Sequence, residues 1–151
     1  MVGMTFTGIK RHMSQAQELF DAGDYIAAYE KLNGFDLSDE KVLLLRNQAR
    51  VLADLQLCQE QYDAFIGYER YNYALDSLIT GVGRYEKYKD DAVEYGISEQ
   101  YEAYASVIIH ELEATFGLSE EEALEIYNQP NRHYYTIEIR KVLRGLGYKD
   151  L

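Results

Sequence analysis

The sequence contains no tryptophan, one proline and one cysteine in 151 residues. A single cysteine excludes an internal disulfide and any zinc site built from several cysteines. Because proline interrupts helices, its scarcity favours an all-helical chain. The sequence also lacks a signal-peptide pattern and an apolar run of about 18 residues. We therefore expect a soluble chain, cytoplasmic by default, although the soluble domain of a larger, membrane-anchored protein would give the same pattern.

Acidic residues outnumber basic ones by 26 to 15, which gives a formal net charge of -11. An acidic chain repels nucleic acid and anionic membranes, so we expect neither and predict a neutral or basic protein or peptide partner. Bases are concentrated in residues 131–149, where Arg140, Lys141 and Arg144 share about 100° of a predicted helix face. These three residues are a candidate basic patch for an acidic partner, whereas packing against the acidic helices of the same chain is the simpler interpretation.

Apolar residues recur with helical spacing along most of the chain, and no segment alternates with period two. Residues 1–13 show little pattern and form a predicted lead-in, followed by a single helical domain over residues 14–151. We predict about seven or eight helices. The first three are expected at Ser14–Phe20, at Tyr25–Leu32, and from an N-cap at Ser38 to an end near Gln59. The next three are a helix that contains Tyr68 and Leu78 and ends at Gly81 and Gly83, a helix from Tyr85 to Tyr95, and a helix from an N-cap at Ser98 to Phe116. A capping box at Ser119 and Glu122 begins a short helix, and the last helix is expected over Asn131–Arg144.

The segment Gly23-Asp24-Tyr25 lies between two predicted helices, where the glycine can adopt the left-handed conformation that ends the first. A similar pattern recurs later in degenerate form. The aligned positions are Tyr25 with Tyr71, Ala28 with Ala74 and Ala123, and Leu32 with Leu78. A small residue at such a repeated position allows two helices to approach closely.

These residues resemble the tetratricopeptide-repeat family, in which a Gly-Asp-Tyr turn joins the two helices of a hairpin and an alanine marks their closest packing. The second copy has Glu69 and Arg70 at the two turn positions. The resemblance covers about residues 12–80. It implies stacked antiparallel hairpins that bind a protein or peptide segment in a groove without catalysis, and we expect the last helix to act as a cap.

Fifteen residues are tyrosines, and most of them lie at spacings typical of packing between helices. A subset around the turn of the second predicted hairpin is suited to line a binding groove, because tyrosine offers a rigid amphipathic contact surface. The candidates are Tyr62, Tyr68, Tyr73, Tyr85 and Tyr88, with Tyr73 and Tyr88 expected to be exposed together.

No catalytic, metal or cofactor motif is apparent. His110 begins the segment HELEA, in which Ala114 stands where the zincin motif requires a second histidine, and we expect His110 to face solvent. Cys58 has no basic neighbour in sequence and is predicted to be a packing residue. We therefore predict a binding adaptor rather than an enzyme. Two alternatives remain: a self-association domain that forms a homo-oligomer, and a small-ligand carrier with a tyrosine-lined pocket.

Overall fold

The computed structural model describes residues 6–34 and 39–148. Over these ranges the chain is all-α without strands, as predicted, and none of its helices is both long and apolar enough to cross a membrane. The seven helices are α1 (Phe6–Asp21), α2 (Tyr25–Leu32), α3 (Glu40–Gly67), α4 (Tyr71–Glu94), α5 (Ser98–Phe116), α6 (Glu120–Tyr127) and α7 (Arg132–Gly145).

The helices form a stack of antiparallel hairpins in which sequence neighbours pack together from α1 to α5. Helix α6 follows α5 through a short turn but packs on α4, and α7 contacts α4 and α6. Helix α4 is therefore central, since it contacts α3, α5, α6 and α7. The main core lies around it, and a smaller apolar cluster formed by α1, α2 and the start of α3 completes the N-terminal end.

The predicted recurrence is present in α2, α4 and α6. In each case an alanine lies four residues after the N-cap residue, is completely buried, and donates its N–H to the N-cap carbonyl. The common position lets α2, α4 and α6 approach their neighbours closely. The alanine and N-cap pairs are Ala28 with Asp24 at 3.0 Å, Ala74 with Arg70 at 2.9 Å and Ala123 with Ser119 at 3.0 Å.

Gln56 on α3 holds the first turn in place. Its side-chain nitrogen donates to the carbonyl oxygen of Gly23 at 2.8 Å, and its side-chain oxygen accepts from the backbone N–H of Ile26 at 2.9 Å. Asp24 caps α2 by accepting from the N–H of Ala27. Two polar backbone groups of the turn are thus satisfied by a single side chain of the next helix.

The prediction of a turn at Gly81 and Gly83 is wrong, because both glycines lie inside α4 and are buried. A Cβ at Gly81 would lie 3.1 Å from Ile108 of α5 and 3.3 Å from Cys58 of α3, and a Cβ at Gly83 would overlap the ring of Tyr127 on α6. These glycines allow close packing of helices. The segment from Tyr85 therefore continues the same helix to Glu94, with Tyr95 as its C-cap, rather than starting another helix.

Several other helix limits differ from the prediction. Helix α1 begins at Phe6, so the described part of the expected lead-in is helical. Helix α3 continues past Gln59 to Gly67, because no glycine or proline interrupts it before that position. Its N-cap is Asp39, whereas Ser38 lies outside the described residues. Ser98 is the first residue of α5, and its N-cap is Ile97.

The predictions for α2, for the end of α5 and for the start of α6 are confirmed. Helix α2 has the expected limits, and Gly117 ends α5 in the left-handed conformation with φ of 66°. Ser119 and Glu122 form the predicted capping box, in which each side chain accepts from the backbone N–H of the other residue. Local capping signals therefore set these limits.

Helix α7 caps the stack through apolar and polar contacts. Tyr135, Ile139 and Leu143 are buried in the main core. The hydroxyl of Tyr135 donates to Asp76 of α4, and Arg132 forms an ion pair with the same carboxylate at 3.5 Å. Burial and the neighbouring Asp76 raise the pKa of Tyr135, so its hydroxyl stays protonated as a donor.

Candidate functional site

The five candidate tyrosines do not form one groove. Tyr62 is buried between α3 and α5, where its hydroxyl donates to Glu111 at 3.1 Å and lies 2.9 Å from the hydroxyl of Thr115. Burial raises the pKa of Tyr62. Its role in a groove is therefore corrected to packing between helices, because its ring is not accessible to a partner.

Tyr85 and Tyr88 lie in the middle of α4 and are half-buried. The hydroxyl of Tyr85 donates to Glu102 of α5 at 2.6 Å. Burial is the larger cause, and this hydrogen bond the smaller, of a raised pKa of Tyr85. The guanidinium of Arg50 lies over the ring of Tyr88 at 5.4 Å. Of the predicted exposed pair, Tyr73 is exposed whereas Tyr88 is half-buried, and the two residues lie fifteen positions apart on one helix, about 22 Å along its axis.

Tyr68 and Tyr73 do lie together at the turn between α3 and α4. They line an open hollow of about 530 Å³ with Phe65 and Arg70, which we call the tip hollow. Tyr68 is 78% exposed and Tyr73 is 49% exposed. The rings of Phe65 and Tyr73 have centroids 5.2 Å apart at an interplanar angle of 33°. The exposed rings of Tyr68 and Tyr73 and the half-buried ring of Phe65 thus surround one open space.

The local backbone explains why these side chains point outwards. Helix α3 ends at Gly67, Tyr68 follows as its C-cap, and Glu69 adopts a left-handed conformation with φ of 57°. Arg70 is then the N-cap of α4 but contributes no side-chain capping bond. Tyr68, Glu69 and Arg70 are all exposed. The turn therefore places consecutive large side chains in solvent.

Arg70 is the charged group that lines the tip hollow, and its guanidinium has no ion pair or side-chain hydrogen bond within the described residues. An unpaired guanidinium next to aromatic rings can accept a carboxylate and stack on a planar group. Phe65 and Arg70 were not predicted as members of this site. Their position in the sequence could have indicated them, since both lie within one helical turn of the connection between α3 and α4.

The predicted basic patch is exposed on α7. Arg140, Lys141 and Arg144 all face solvent, and Lys141 pairs with Glu138 of the same helix at 3.0 Å. None of the three forms an ion pair with an acidic residue of another described helix. Other residues therefore pack α7 on the body of the chain, and none of the three basic residues lines the tip hollow.

His110 and Cys58 are the two potentially reactive side chains considered in the sequence. His110 is exposed, as predicted, and the described residues contain no cluster of three histidine, cysteine or acidic side chains placed to hold a metal ion. Cys58 is buried beside α4, and burial raises the pKa of its thiol to about 11. A thiol with such a pKa is almost fully protonated at neutral pH and is a poor nucleophile.

No protein-family model, curated protein or solved structure matches the chain significantly. Interpretation of its function therefore depends on the geometry and chemistry of its own surface.

Proposed function

We propose that this chain is a protein-binding module built from tetratricopeptide-like hairpins, and that it contacts a protein or peptide partner through the tip hollow. The observation that carries this proposal is the joint exposure of Tyr68 and Tyr73 beside the unpaired Arg70. Tyrosine and arginine are the residue types that most often dominate the binding energy of protein interfaces.

The position of the hollow supports the same function. The rings are attached to the ends of two long helices that pack against each other, so their backbone positions are fixed before a partner arrives. A rigid site loses little conformational freedom on binding, and more of the contact energy is retained as affinity. Tyr68 and Tyr73 are exposed, so the core does not cover their rings.

The test compares two exposed tyrosines at opposite places in the fold. The variants are Tyr68→Ala in the tip hollow and Tyr134→Ala on α7, where Tyr134 is 50% exposed. Both changes should alter the free energy of unfolding by less than about 0.5 kcal/mol, because neither side chain is buried. Proteins captured from an extract of the source organism are then quantified for the native chain and each variant.

We expect a partner that binds the native chain and Tyr134→Ala but loses at least about tenfold in affinity for Tyr68→Ala, as is typical of an aromatic hot spot. Arg70→Ala should weaken the same partner. If Tyr68→Ala and Arg70→Ala retain every protein that the native chain binds, the tip hollow is not the binding site and the proposal is contradicted.

Self-association through the same hollow is a second candidate function. Glu69 and Arg70 are adjacent, exposed and oppositely charged. A two-fold arrangement can place each arginine against the glutamate of a second copy. Light scattering separates this function from binding of a different protein. A dimer that dissociates in Arg70→Glu and re-forms in the double variant Glu69→Arg, Arg70→Glu supports self-association. A chain that stays monomeric at every concentration contradicts it.

A further inference from the structure

A second open space lies between α2 and α3, on a different part of the molecule from the tip hollow. It has a volume of about 460 Å³ and we call it the α2–α3 groove. Its apolar surface comes from Ile26, Ala53 and Leu57, of which Leu57 is 46% exposed. A leucine exposed to this degree beside a concave surface offers an apolar contact that the chain itself does not cover.

Two carboxylates contribute negative charge to the groove. Glu30 on α2 and Asp54 on α3 both line it, and neither forms an ion pair or a side-chain hydrogen bond within the described residues. Asp54 is half-buried, so its charge is less well screened by water than that of a fully exposed acid. A cation that enters the groove can therefore gain two charge contacts.

The nearby arginines do not neutralise these carboxylates. Arg50 lines the groove, yet its guanidinium lies over the ring of Tyr88 at 5.4 Å rather than on Asp54, one helical turn away. Arg46 lies over the ring of Tyr29 at 5.9 Å. The groove is thus lined by two acids without an ion pair among the described residues and by one arginine whose guanidinium lies on an aromatic ring, in a chain with net charge -11.

The dimensions fit a short peptide segment. The α2 wall extends from Ile26 to Asn33, which is about 10 Å at the helical rise of 1.5 Å per residue, or about three residues of extended chain. The wall is also fixed in place, because Gln56 binds the backbone of Ile26 and joins α2 to α3. The groove is preformed, which favours binding of a flexible segment.

We infer that the α2–α3 groove docks a short basic and apolar segment of another protein, with a leucine-like side chain against Leu57 and Ile26 and a lysine or arginine against Glu30 and Asp54. This site is independent of the tip hollow and has the opposite charge preference. The chain would then hold two different partner segments at once.

The probe for this inference is the blocked peptide Gly-Lys-Leu-Leu-Lys-Gly, compared with the same peptide acetylated on both lysines. Acetylation removes the positive charges and keeps the apolar residues, so it isolates the contribution of Glu30 and Asp54. Binding is measured by titration of backbone amide NMR signals up to roughly 1 mM peptide, a concentration that detects even weak sites. We expect shifts at Ile26 and Leu57, and an affinity at least about tenfold lower for the acetylated peptide.

Charge-reversal variants locate the site. Glu30→Lys and Asp54→Lys should each weaken binding of the lysine peptide by about tenfold or more. Glu60→Lys is the matched control, because Glu60 is an exposed acid of α3 that does not line the groove, and it should change the affinity by less than about twofold at physiological salt. Glu30→Gln and Asp54→Asn repeat the test without introducing a positive charge, in case reversal disturbs folding.

Three outcomes would overturn the inference. The first is no binding of the lysine peptide at the highest concentration. The second is equal binding of the acetylated peptide, or equal loss in Glu60→Lys, which would indicate attraction to the acidic chain as a whole. The third is a set of shifts centred on Tyr68 and Tyr73 instead of the groove. The first two results do not bear on the tip hollow, whose test uses different variants and a different readout.

Discussion

The first and second hairpin turns have the same backbone but different side chains. Gly23 and Glu69 are both left-handed, with φ of 82° and 57°, and the residues that follow them, Asp24 and Arg70, share φ of -94° with ψ of 76° and 72°. The hydrogen bonds also correspond. Gly23 donates to Phe20 and Asp24 to Leu19, as Glu69 donates to Ile66 and Arg70 to Phe65, at 2.9 to 3.0 Å.

The two turns differ in what stabilises them. In the first turn glycine adopts the left-handed conformation without strain, Asp24 caps α2, and Gln56 binds the backbone from α3. In the second turn, within the described residues, no side chain of another helix binds the backbone, and the long packed helices α3 and α4 hold the geometry. The side chains of Glu69 and Arg70 are thus not needed to cap the second turn, and they can contact a partner.

The largest effect should come from filling the alanine position that both hairpins share. Ala28→Leu and Ala74→Leu should each lower the free energy of unfolding by about 1–3 kcal/mol, because a larger side chain does not fit a completely buried position. Ala64→Leu is the control, since Ala64 is exposed on α3. Urea unfolding measures all three. Stabilities of the two buried variants equal to that of the control would show that the shared position is not a point of close packing.

An intermediate effect should come from Gln56, which binds the backbone of the first turn and not that of the second. Gln56→Ala leaves the carbonyl of Gly23 and the N–H of Ile26 without their partner and should cost about 1–2 kcal/mol. Amide exchange at Ile26 should accelerate, whereas exchange at Ala74 should change only by the loss of global stability. Gln61→Ala is the control, because Gln61 is exposed on the same helix. An unchanged exchange rate at Ile26 would contradict the role of Gln56.

The smallest effects should come from exchanging the left-handed residues, and they should have opposite signs. Gly23→Ala should destabilise the chain and Glu69→Gly should stabilise it, each by about 1 kcal/mol, because a Cβ disfavours positive φ. Steric overlap with other residues does not explain the expected loss of stability in Gly23→Ala, because an added Cβ meets no atom within 4 Å. Thermal unfolding of both variants checks the signs. Destabilisation by Glu69→Gly would show that the glutamate side chain stabilises the turn in another way.

The sequence predicted the fold best where a local signal was specific. Gly23 with Asp24, the capping box of Ser119 and Glu122, and the recurring alanines each indicated a turn or a contact that the structure contains. Gly81 and Gly83 misled the prediction, because glycine serves both turns and close helix contacts, and the contact with Tyr127 comes from a distant part of the chain.

The candidate site was only partly predictable for a similar reason. Proximity to the second turn correctly brought Tyr68 and Tyr73 together, but exposure depends on the rotation of each helix against its neighbours. Tyr62 faces α5 and Tyr85 faces Glu102, and neither α5 contact is encoded by local sequence. The left-handed conformation of Glu69 was also hidden, since nothing in a glutamate indicates positive φ.

The two buried glycines of α4 also affect the order in which the chain folds. Each makes the free energy of helix formation in an isolated peptide less favourable by roughly 1 kcal/mol relative to alanine. A free peptide of residues 71–94 should therefore be largely unfolded, although in the intact chain this segment forms the central helix. Gly81 packs against Cys58 of α3 and Ile108 of α5, and Gly83 packs against Tyr127 of α6, so α4 should be fully packed only after α5 and α6 have been synthesised. On the ribosome, the centre of this protein would fold late.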